Sequence, residues 1–474
     1  MIIIKKYYQE NNLEKIFTNI PAPIKEIARI LNNESFQCFL VGGAVRDSIM
    51  GFTPKEYDIA TNAKPEDVQR IFKYTIPTGI KHGTILVILD DMHVEITTFR
   101  SDGNYSDGRH PDKVEYTASI EDDLPRRDLT INAMAYNILD GNLIDMFDGM
   151  KDIKNKIIRS VGNPYERFTE DGLRIMRAIR FATRLNFNIE KETFDAICHS
   201  TGMLTSIAYE RIREEFNGIL ISDNPFRGIE LLRKTGILAL IMPELMQGFG
   251  VAQNRFHKYD VYYHILHTIQ AVEPLETEEL TLLVRLAALF HDIAKPMVQK
   301  KVSKQEEPVY YNHEVVGANV AKKVMRRLKY SNAEIDFVTL LVRQHMFYYQ
   351  DEWTDGAVRR FMKAVGIENI KPLLKLREAD RLGSGNRKDK ESKAIPKLLA
   401  RIDKIIEEEN AITVKDLKIN GNDLMKEFNL KPGPIVGKIL NYLLDLILDE
   451  PSLNDKEKLM EKTKIFLESN NLNN

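Results

Sequence analysis

The chain has 474 residues, 43% hydrophobic and 29% charged, and its 67 Lys and Arg against 69 Asp and Glu leave a formal charge of −2. A chain this long outgrows one hydrophobic core and predicts two to four domains, while its composition excludes global disorder, collagen-like repeats and a disulfide scaffold. Near-neutral charge excludes coating of nucleic acid through bulk electrostatics but allows a local basic surface.

Cys38 and Cys198 are too few for a disulfide framework or a zinc cluster and point to a reducing, cytoplasmic setting. The opening MIIIKKYYQENN has too short an apolar run for a signal peptide. No membrane span is expected, because the most apolar stretch, ILNYLLDLILDE, is broken by Asp445 and Asp449.

In chain order, the apolar run Phe36 to Val41 predicts a strand that stops at Gly42-Gly43 and feeds a helix, AVRDSIMG. A short strand, YDIAT, follows, then a helix opened by Pro65 with Glu66 and Asp67 in its first turn. GTILVIL and MHVEITTFR flank Asp90-Asp91 and read as a hairpin. From about residue 155 the strand signals stop. AIRFATRL, FNGILI, LLRKTGILALI and LTLLVRLAALF repeat apolar residues at three- and four-residue spacing, the pattern of packed helices. The fold class is therefore α+β: a small α/β head over 1–155, a helical neck over 156–245, a helical body over 246–390 and a helical tail over 391–474. Polar GSGNRKDKESK at 383–393 is the linker candidate.

Several patterns carry chemistry. Gly42-Gly43 after a strand lets backbone N–H groups approach an anion, and Arg46 in the following helix is placed to pair with a phosphate. Glu56 and Asp58, two apart in an extended segment, project from one face, as oxygen ligands for Mg²⁺ require, and Glu95 is a third candidate. Further on, 151–184 concentrates Lys151, Lys154, Lys156, Arg159, Arg167, Arg174, Arg177, Arg180 and Arg184. Thr169 is the expected N-cap of a helix on which Asp171 and Arg174 share a face, an acceptor beside donors. A carboxylate there would accept from the exocyclic amine of cytosine or adenine and repel the carbonyl of uracil or guanine. Arg177 and Arg180 continue the face and suit phosphates.

Six of the ten histidines fall within 257–345: His257, His264, His267, His291, His313 and His345, with Asp292 beside His291 and Asp380 downstream. A lone histidine on an apolar helix is usually a core residue, the reading given to His267. The others form a series that suits a metal centre.

GGAVRDSIMGFTPKEYDIAT at 42–61 resembles the first motif of the class II tRNA nucleotidyltransferase/poly(A) polymerase family, and RRDLTINAMAYN, EDGLRIMRAIRFATRL and YERIREEF resemble its second, third and fourth. YSDGRHPDKVEY, containing Tyr105 and Arg109, resembles its flexible loop. The resemblance spans about 40–220 in unbroken order. It implies a polymerase-β-like nucleotidyltransferase head using Mg²⁺ at Glu56, Asp58 and Glu95. The implied nucleotide-binding residues are Gly43, Arg46, Arg127, Asp171, Arg174, Arg177 and Arg180. Asp128 orients a neighbour, and the protein itself templates CTP and ATP for the tRNA 3′ end. Glu56 departs from the family's usual aspartate and shifts the metal geometry by one methylene.

The order H…HD…H…H…D resembles the HD metal-dependent phosphohydrolase superfamily. It implies a divalent transition-metal site with His264, His291, Asp292 and Asp380 as one shell and His313 and His345 completing a second; Lys295 would hold a phosphate. The tail, with Gly421 and Pro432-Gly433-Pro434 before an amphipathic helix, resembles the family's C-terminal region and implies contact with the tRNA elbow as well as the acceptor stem. Competing readings are an A-adding or CC-adding tRNA nucleotidyltransferase, a bacterial poly(A) polymerase, and an HD phosphohydrolase whose head only binds RNA. The retained loop argues against a CC-only enzyme, and IPTGIKHGTILV favours the CCA-adding form. The metal carboxylates and the Asp171/Arg174 set argue against a mere binding head.

Overall fold

A computed structural model of the protein describes residues 7–8, 13–80, 83–102, 114–300, 307–386, 394–408 and 416–469. Tyr105, Arg109 and the rest of the predicted loop to residue 113 lie outside the described residues, as do linker residues 387–393. The chain divides into two compact units, 1–246 with 327–330 and 247–326 with 331–474. The architecture is α+β, a sheet-based first part followed by helices, as the patterning predicts.

The first unit is built on a mixed sheet with strands in the order Tyr7–Tyr8, Leu143–Asp145, Met134–Asn137, Cys38–Val41, Asp58–Thr61, Met92–Thr98, Thr84–Leu89 and Thr75–Gly79. Cys38–Val41 is buried at all four positions, which explains its continuous apolar run. It pairs antiparallel with Asp58–Thr61, Val41 opposite Asp58. Asp58–Thr61 in turn pairs parallel with Met92–Thr98, Asp58 opposite Glu95. Residues in register share a face, so the ladder itself sets Asp58 beside Glu95 and beside the end of the strand that leads into Gly42. The predicted hairpin forms between Thr84–Leu89 and Met92–Thr98. Asp90 and Asp91 both take positive φ, 46° and 62°, the two-residue turn whose twist matches the strands.

Helices dominate after the sheet, with one departure from expectation. Ile157–Ile158 pairs in parallel with Asn188–Ile189, a ladder of two residues per strand and too short to leave an alternating signal. The third motif starts at the end of one helix, Pro164–Glu170, and continues into a second, Leu173–Arg184. Thr169 is not an N-cap: it lies inside the first helix, its Oγ1 donating to the Tyr165 carbonyl at 2.8 Å, and Asn163 caps that helix by accepting from Tyr165 N at 3.0 Å. The break falls at Gly172, which presses on residue 203; a Cβ there would sit 3.0 Å from the Met203 carbonyl oxygen.

In the second unit, Val261–Ala271, Glu278–Phe290, Asn332–Gln344 and Ile367–Gly383 surround a core that includes Tyr262, Leu286, Phe290 and Leu376. Val261–Ala271 and Ile367–Gly383 touch backbone to backbone: a Cβ on Gly383 would lie 2.8 Å from the Thr268 backbone nitrogen. This close approach brings His264 and Asp380 together. Gly421–Glu427, Pro434–Asp449 and Lys456–Ser469 share a further core around Leu424, Ile439, Leu443, Ile447 and Leu459. Asn420 and Asp423 close a capping box, and Pro434 begins the longest of the three helices. Among the described residues no helix is long and apolar enough to cross a membrane.

Candidate active site and a histidine–aspartate centre

The head site is a corner where the strand from Cys38 to Val41 ends. Gly42 has φ 66°, and a Cβ on it would meet Arg127 Nη1 at 3.5 Å and Asp58 Oδ2 at 3.7 Å. Glycine therefore meets the left-handed φ without strain and leaves the corner open between an arginine and a carboxylate. Burial pushes the Asp58 carboxyl up to about 6, and the charges of Glu95 and Glu56 add to the rise against the pull of Arg127. A carboxylate in such an excess of negative charge fits a divalent cation, which would relieve it. The strand begins at Asp58, so Glu56 lies exposed on the segment leading into it, with its charge acting on Asp58.

Arg127 is fixed from behind. Its Nη2 donates to Asp123 Oδ2 at 3.1 Å, and the same buried carboxylate takes Arg126 Nε at 2.8 Å. Burial works to raise the Asp123 carboxyl, but Arg127 and Arg126 outweigh it and hold it below the usual range. Arg46 lies beside Gly43 yet differs from the expected phosphate contact. It is 4% exposed, its Nε donates to Asp47 at 2.8 Å and its Nη1 to Asn132 Oδ1 at 2.7 Å. Asn132 Nδ2 passes the chain on to Asp128 Oδ1 at 3.3 Å, and Arg177 Nε closes it on Asp128 Oδ2 at 2.6 Å. The guanidiniums of Arg46, Arg177 and Arg180 stand 4.9, 5.6 and 4.4 Å from the Phe181 ring centre. This network ties the second motif to the third and makes Asp128 an orienting group.

Burial would raise the Asp128 carboxyl, but the charge and hydrogen bond of Arg177 bring it to about 2. A depressed carboxyl contributes stability that is present above its ordinary value near 4 and lost as pH falls through 2. Asp128→Asn should cost about 2 kcal/mol at pH 7, since it leaves Arg177 without its counter-charge. The deficit should narrow below pH 4 in chemical-denaturation curves; a constant deficit down to pH 2 would contradict the pairing.

Asp171 and Arg174 do not share one helix face. Asp171 sits at the break, its Oδ1 capping Leu173 N at 3.0 Å and its Oδ2 3.4 Å from Arg211 Nη2. Arg174 is buried and donates to Glu170 at 2.6 Å and to the Arg126 carbonyl at 2.9 Å. Arg180, expected to face phosphate, pairs with Glu215 at 2.6 Å. Sequence reading overlooked Asp123, Asn132, Glu170, Arg211 and Glu215. All five lie in or next to the quoted motifs, but a one-dimensional pattern gives no sign of which acid takes which arginine.

In the second unit the six predicted residues converge. His264 Nε2 lies 3.1 Å from Asp292 Oδ2 and 3.2 Å from Asp380 Oδ1, and His291 Nε2 lies 3.2 and 3.6 Å from the same two oxygens. His313 and His345 face the other oxygen, Asp292 Oδ1, at 3.3 and 3.8 Å. Nδ1 of His291, His313 and His345 meets the carbonyls of Ala288, Tyr310 and Val342 at 2.8, 2.7 and 2.7 Å. A carbonyl only accepts, so each of these Nδ1 atoms carries a proton and each Nε2 is turned inward towards the Asp292 carboxylate. Burial works to raise Asp292 and Asp380, yet both stay well below the usual range: His291 and Lys295 dominate for Asp292, His264 and His291 for Asp380. Lys295 Nζ reaches Asp292 Oδ2 at 2.6 Å and Gln253 Oε1 at 2.8 Å. His257, outside the predicted set, brings a ring nitrogen within 4.8 Å of ligand atoms of His264 and Asp292. His267 stacks on Tyr259 with ring centres 4.1 Å apart, the packing role expected of it.

Residues 38–159 match the poly A polymerase head domain, 186–248 the probable RNA and SrmB-binding site of polymerase A, and 310–463 a tRNA nucleotidyltransferase domain 2. The CCA-adding enzyme of Ligilactobacillus salivarius is 34% identical over 462 residues, 96% of this chain and 99% of that one. This chain belongs to the CCA-adding enzyme family. The CCA-adding enzyme of Lactococcus lactis subsp. lactis is likewise 34% identical, over 94% of this chain and 97% of its own length. Among solved structures, the Bacillus stearothermophilus CCA-adding enzyme in complex with CTP superposes with a TM-score of 0.71 at 28% identity, covering 96% of this chain and 99% of that one. CCA-adding enzymes are nucleotidyltransferases, whose chemistry uses a divalent metal, and the corner around Asp58 lies within the matched head domain.

Proposed function

We propose that this CCA-adding enzyme builds or repairs the 3′-terminal CCA of tRNA from CTP and ATP, releasing pyrophosphate, without a nucleic-acid template. The corner formed by Asp58, Glu95, Arg127 and Gly42 carries this reading. The RNA 3′-oxygen forms a bond to the α-phosphorus as the bond to pyrophosphate breaks. Mg²⁺ held by Asp58 and Glu95, with Glu56 alongside, would supply charge neutralisation for the triphosphate. Arg127, fixed by Asp123, offers donors to the phosphates, and the Gly42 backbone lets them approach. Asp171 is the acceptor for the exocyclic amine shared by C and A, and Arg174 steadies the helix break that presents it. The head, 1–155, performs the chemistry, the neck, 156–245, reads the base, and the tail, 391–474, meets the tRNA elbow.

Incubating tRNA that lacks CCA with CTP alone, ATP alone and both should extend it by CC, by nothing and by CCA. A single A from a CC-ended tRNA alone, or a long A tract, would replace this reading with an A-adding enzyme or a poly(A) polymerase. In the same assay Asp171→Ala should raise misincorporation of UTP or GTP at least about tenfold, the loss of one base-edge hydrogen bond. Unchanged selectivity would remove Asp171 from templating.

A second reading concerns the other unit, whose HD-type centre we infer holds two divalent transition-metal ions. It is carried by the way Asp292 turns one oxygen to His264 and His291 and the other to His313 and His345. Buried imidazole and carboxylate ligands suit such ions better than Mg²⁺.

A further inference from the structure

One histidine of the second unit stands outside the predicted ligand set yet beside it. His257 lies on the loop ahead of Val261–Ala271, its ring edge-on to that of His264 with centres 4.9 Å apart. A ring nitrogen of His257 and ligand atoms of His264 and Asp292 all fall within 4.8 Å of one another. Ligands on opposite sides of one transition-metal ion stand about 4 Å apart, so closing this group on an ion takes a shift of about 1 Å or less.

The loop is built to hold that ring. The His257 N–H donates to the Asn254 carbonyl at 3.0 Å. The Asn254 side-chain oxygen accepts the Phe256 N–H at 3.2 Å and lies 2.9 Å from His257 Nδ1. A backbone N–H only donates, so the oxygen is fixed as an acceptor, Nδ1 carries a proton, and Nε2 is the nitrogen left for an ion. The same device orients His291, His313 and His345, where backbone carbonyls take the Nδ1 proton. Residues on either side are tied down as well. Gln253 Oε1 accepts from Lys295 Nζ at 2.8 Å, the Ala252 carbonyl accepts from the Tyr310 hydroxyl at 2.8 Å, and the Lys258 N–H donates to the Ser384 carbonyl at 2.9 Å. An acceptor that fixes one ring nitrogen and frees the other is the usual support of a metal-binding imidazole.

We propose that His257 is a metal ligand, joining His264, His291, Asp292 and Asp380 around the ion on the Asp292 Oδ2 side. His257 and Asp380 also stand in the wall of a cavity of about 220 Å³, so His257 covers the ion from the side on which solvent reaches it. A protein ligand there leaves no open position on that side, as in closed structural sites. Three imidazoles with two carboxylates further favour Co²⁺ or Zn²⁺ over Mn²⁺. The proposal rests on the metal reading of the centre given above, and the test separates the two.

The full-length protein is reconstituted with Co²⁺, whose visible absorption reports the number and kind of its ligands, and the ion is then withdrawn by a graded series of chelator. In His257→Ala one Co²⁺ should be held at least about tenfold more weakly than in wild type. Its absorption should change in position and intensity, because one nitrogen leaves the coordination sphere. The preference for Co²⁺ over Mn²⁺ in competition should narrow. Phe256 is an exposed neighbour on the same loop, and Phe256→Ala should leave affinity and absorption at their wild-type values. An unchanged absorption in His257→Ala overturns the ligand assignment whatever happens to the affinity. Equal changes in Phe256→Ala also overturn it, since they would reflect the order of the loop and not a lost ligand. Wild-type protein that takes up no Co²⁺ at the centre overturns the underlying metal reading instead.

Discussion

Asp58→Ala should lower nucleotide addition by about 10³-fold or more, because it removes the carboxylate that the sheet register, the glycine turn and Arg127 all converge on. The same position makes a second, opposite prediction for stability. Burial together with Glu95 raises the Asp58 carboxyl from 3.8 to about 6, so the fold prefers it protonated. A raised carboxyl contributes stability that is present below pH 4 and lost as pH rises through 6. In buffer with a chelator, Asp58→Asn should therefore be more stable than wild type at pH 8, by about 2 kcal/mol. The advantage should vanish at pH 4. Adding Mg²⁺ should stabilise wild type and leave the asparagine variant unmoved. Denaturation curves at the two pH values, with and without Mg²⁺, check each point. Near-normal turnover of Asp58→Ala would sink the metal assignment, and an asparagine variant no more stable at pH 8 would show that Asp58 carries no uncompensated charge.

How much of this was legible in one dimension depends on the range of the interaction involved. The head was readable because its signals are local. Gly42 needs no partner to announce a turn, Asp90-Asp91 sets a hairpin, and the apolar runs mark strands buried along their length. The pairing of Asp58 with Glu95 is different: the sequence offers Glu95 only as a third candidate carboxylate, and the parallel ladder is what sets it opposite Asp58. The neck was misread where a tertiary contact overrode a local rule. Thr169 followed by Glu170 and Asp171 satisfies the usual start of a helix, yet Gly172 against Met203 interrupts the helix three residues after Thr169 and turns Asp171 into a cap. The partners of Arg46 were hidden for a related reason. The pattern shows a cation next to glycines and is silent on Asn132, 86 residues away, which accepts its hydrogen bond. The histidines were legible as a set because their order, not their spacing, carried the information.

Metal analysis of the second unit's ligands should show a graded loss. Wild-type protein reconstituted with Co²⁺ or Mn²⁺ should hold two ions at the centre, His313→Ala about one, and Asp292→Ala none. The argument lies in the division of labour between the Asp292 oxygens. Oδ2 faces His264, His291 and Lys295, and Oδ1 faces His313 and His345. Removing His313 strips one side only, whereas removing Asp292 takes a ligand from both. The three inward-facing imidazoles whose Nδ1 atoms are tied to carbonyls are already oriented, so little reorganisation offsets the loss of a ligand. Asp292→Ala should also destabilise the metal-free protein by about 3 kcal/mol, because Lys295 is buried and loses its counter-ion. Lys295→Met in the same background should recover part of that loss, which a purely steric effect of the alanine would not allow. A centre that holds one ion in wild type, or that empties completely in His313→Ala, would reduce it to a single mononuclear site with Asp292 as an ordinary ligand.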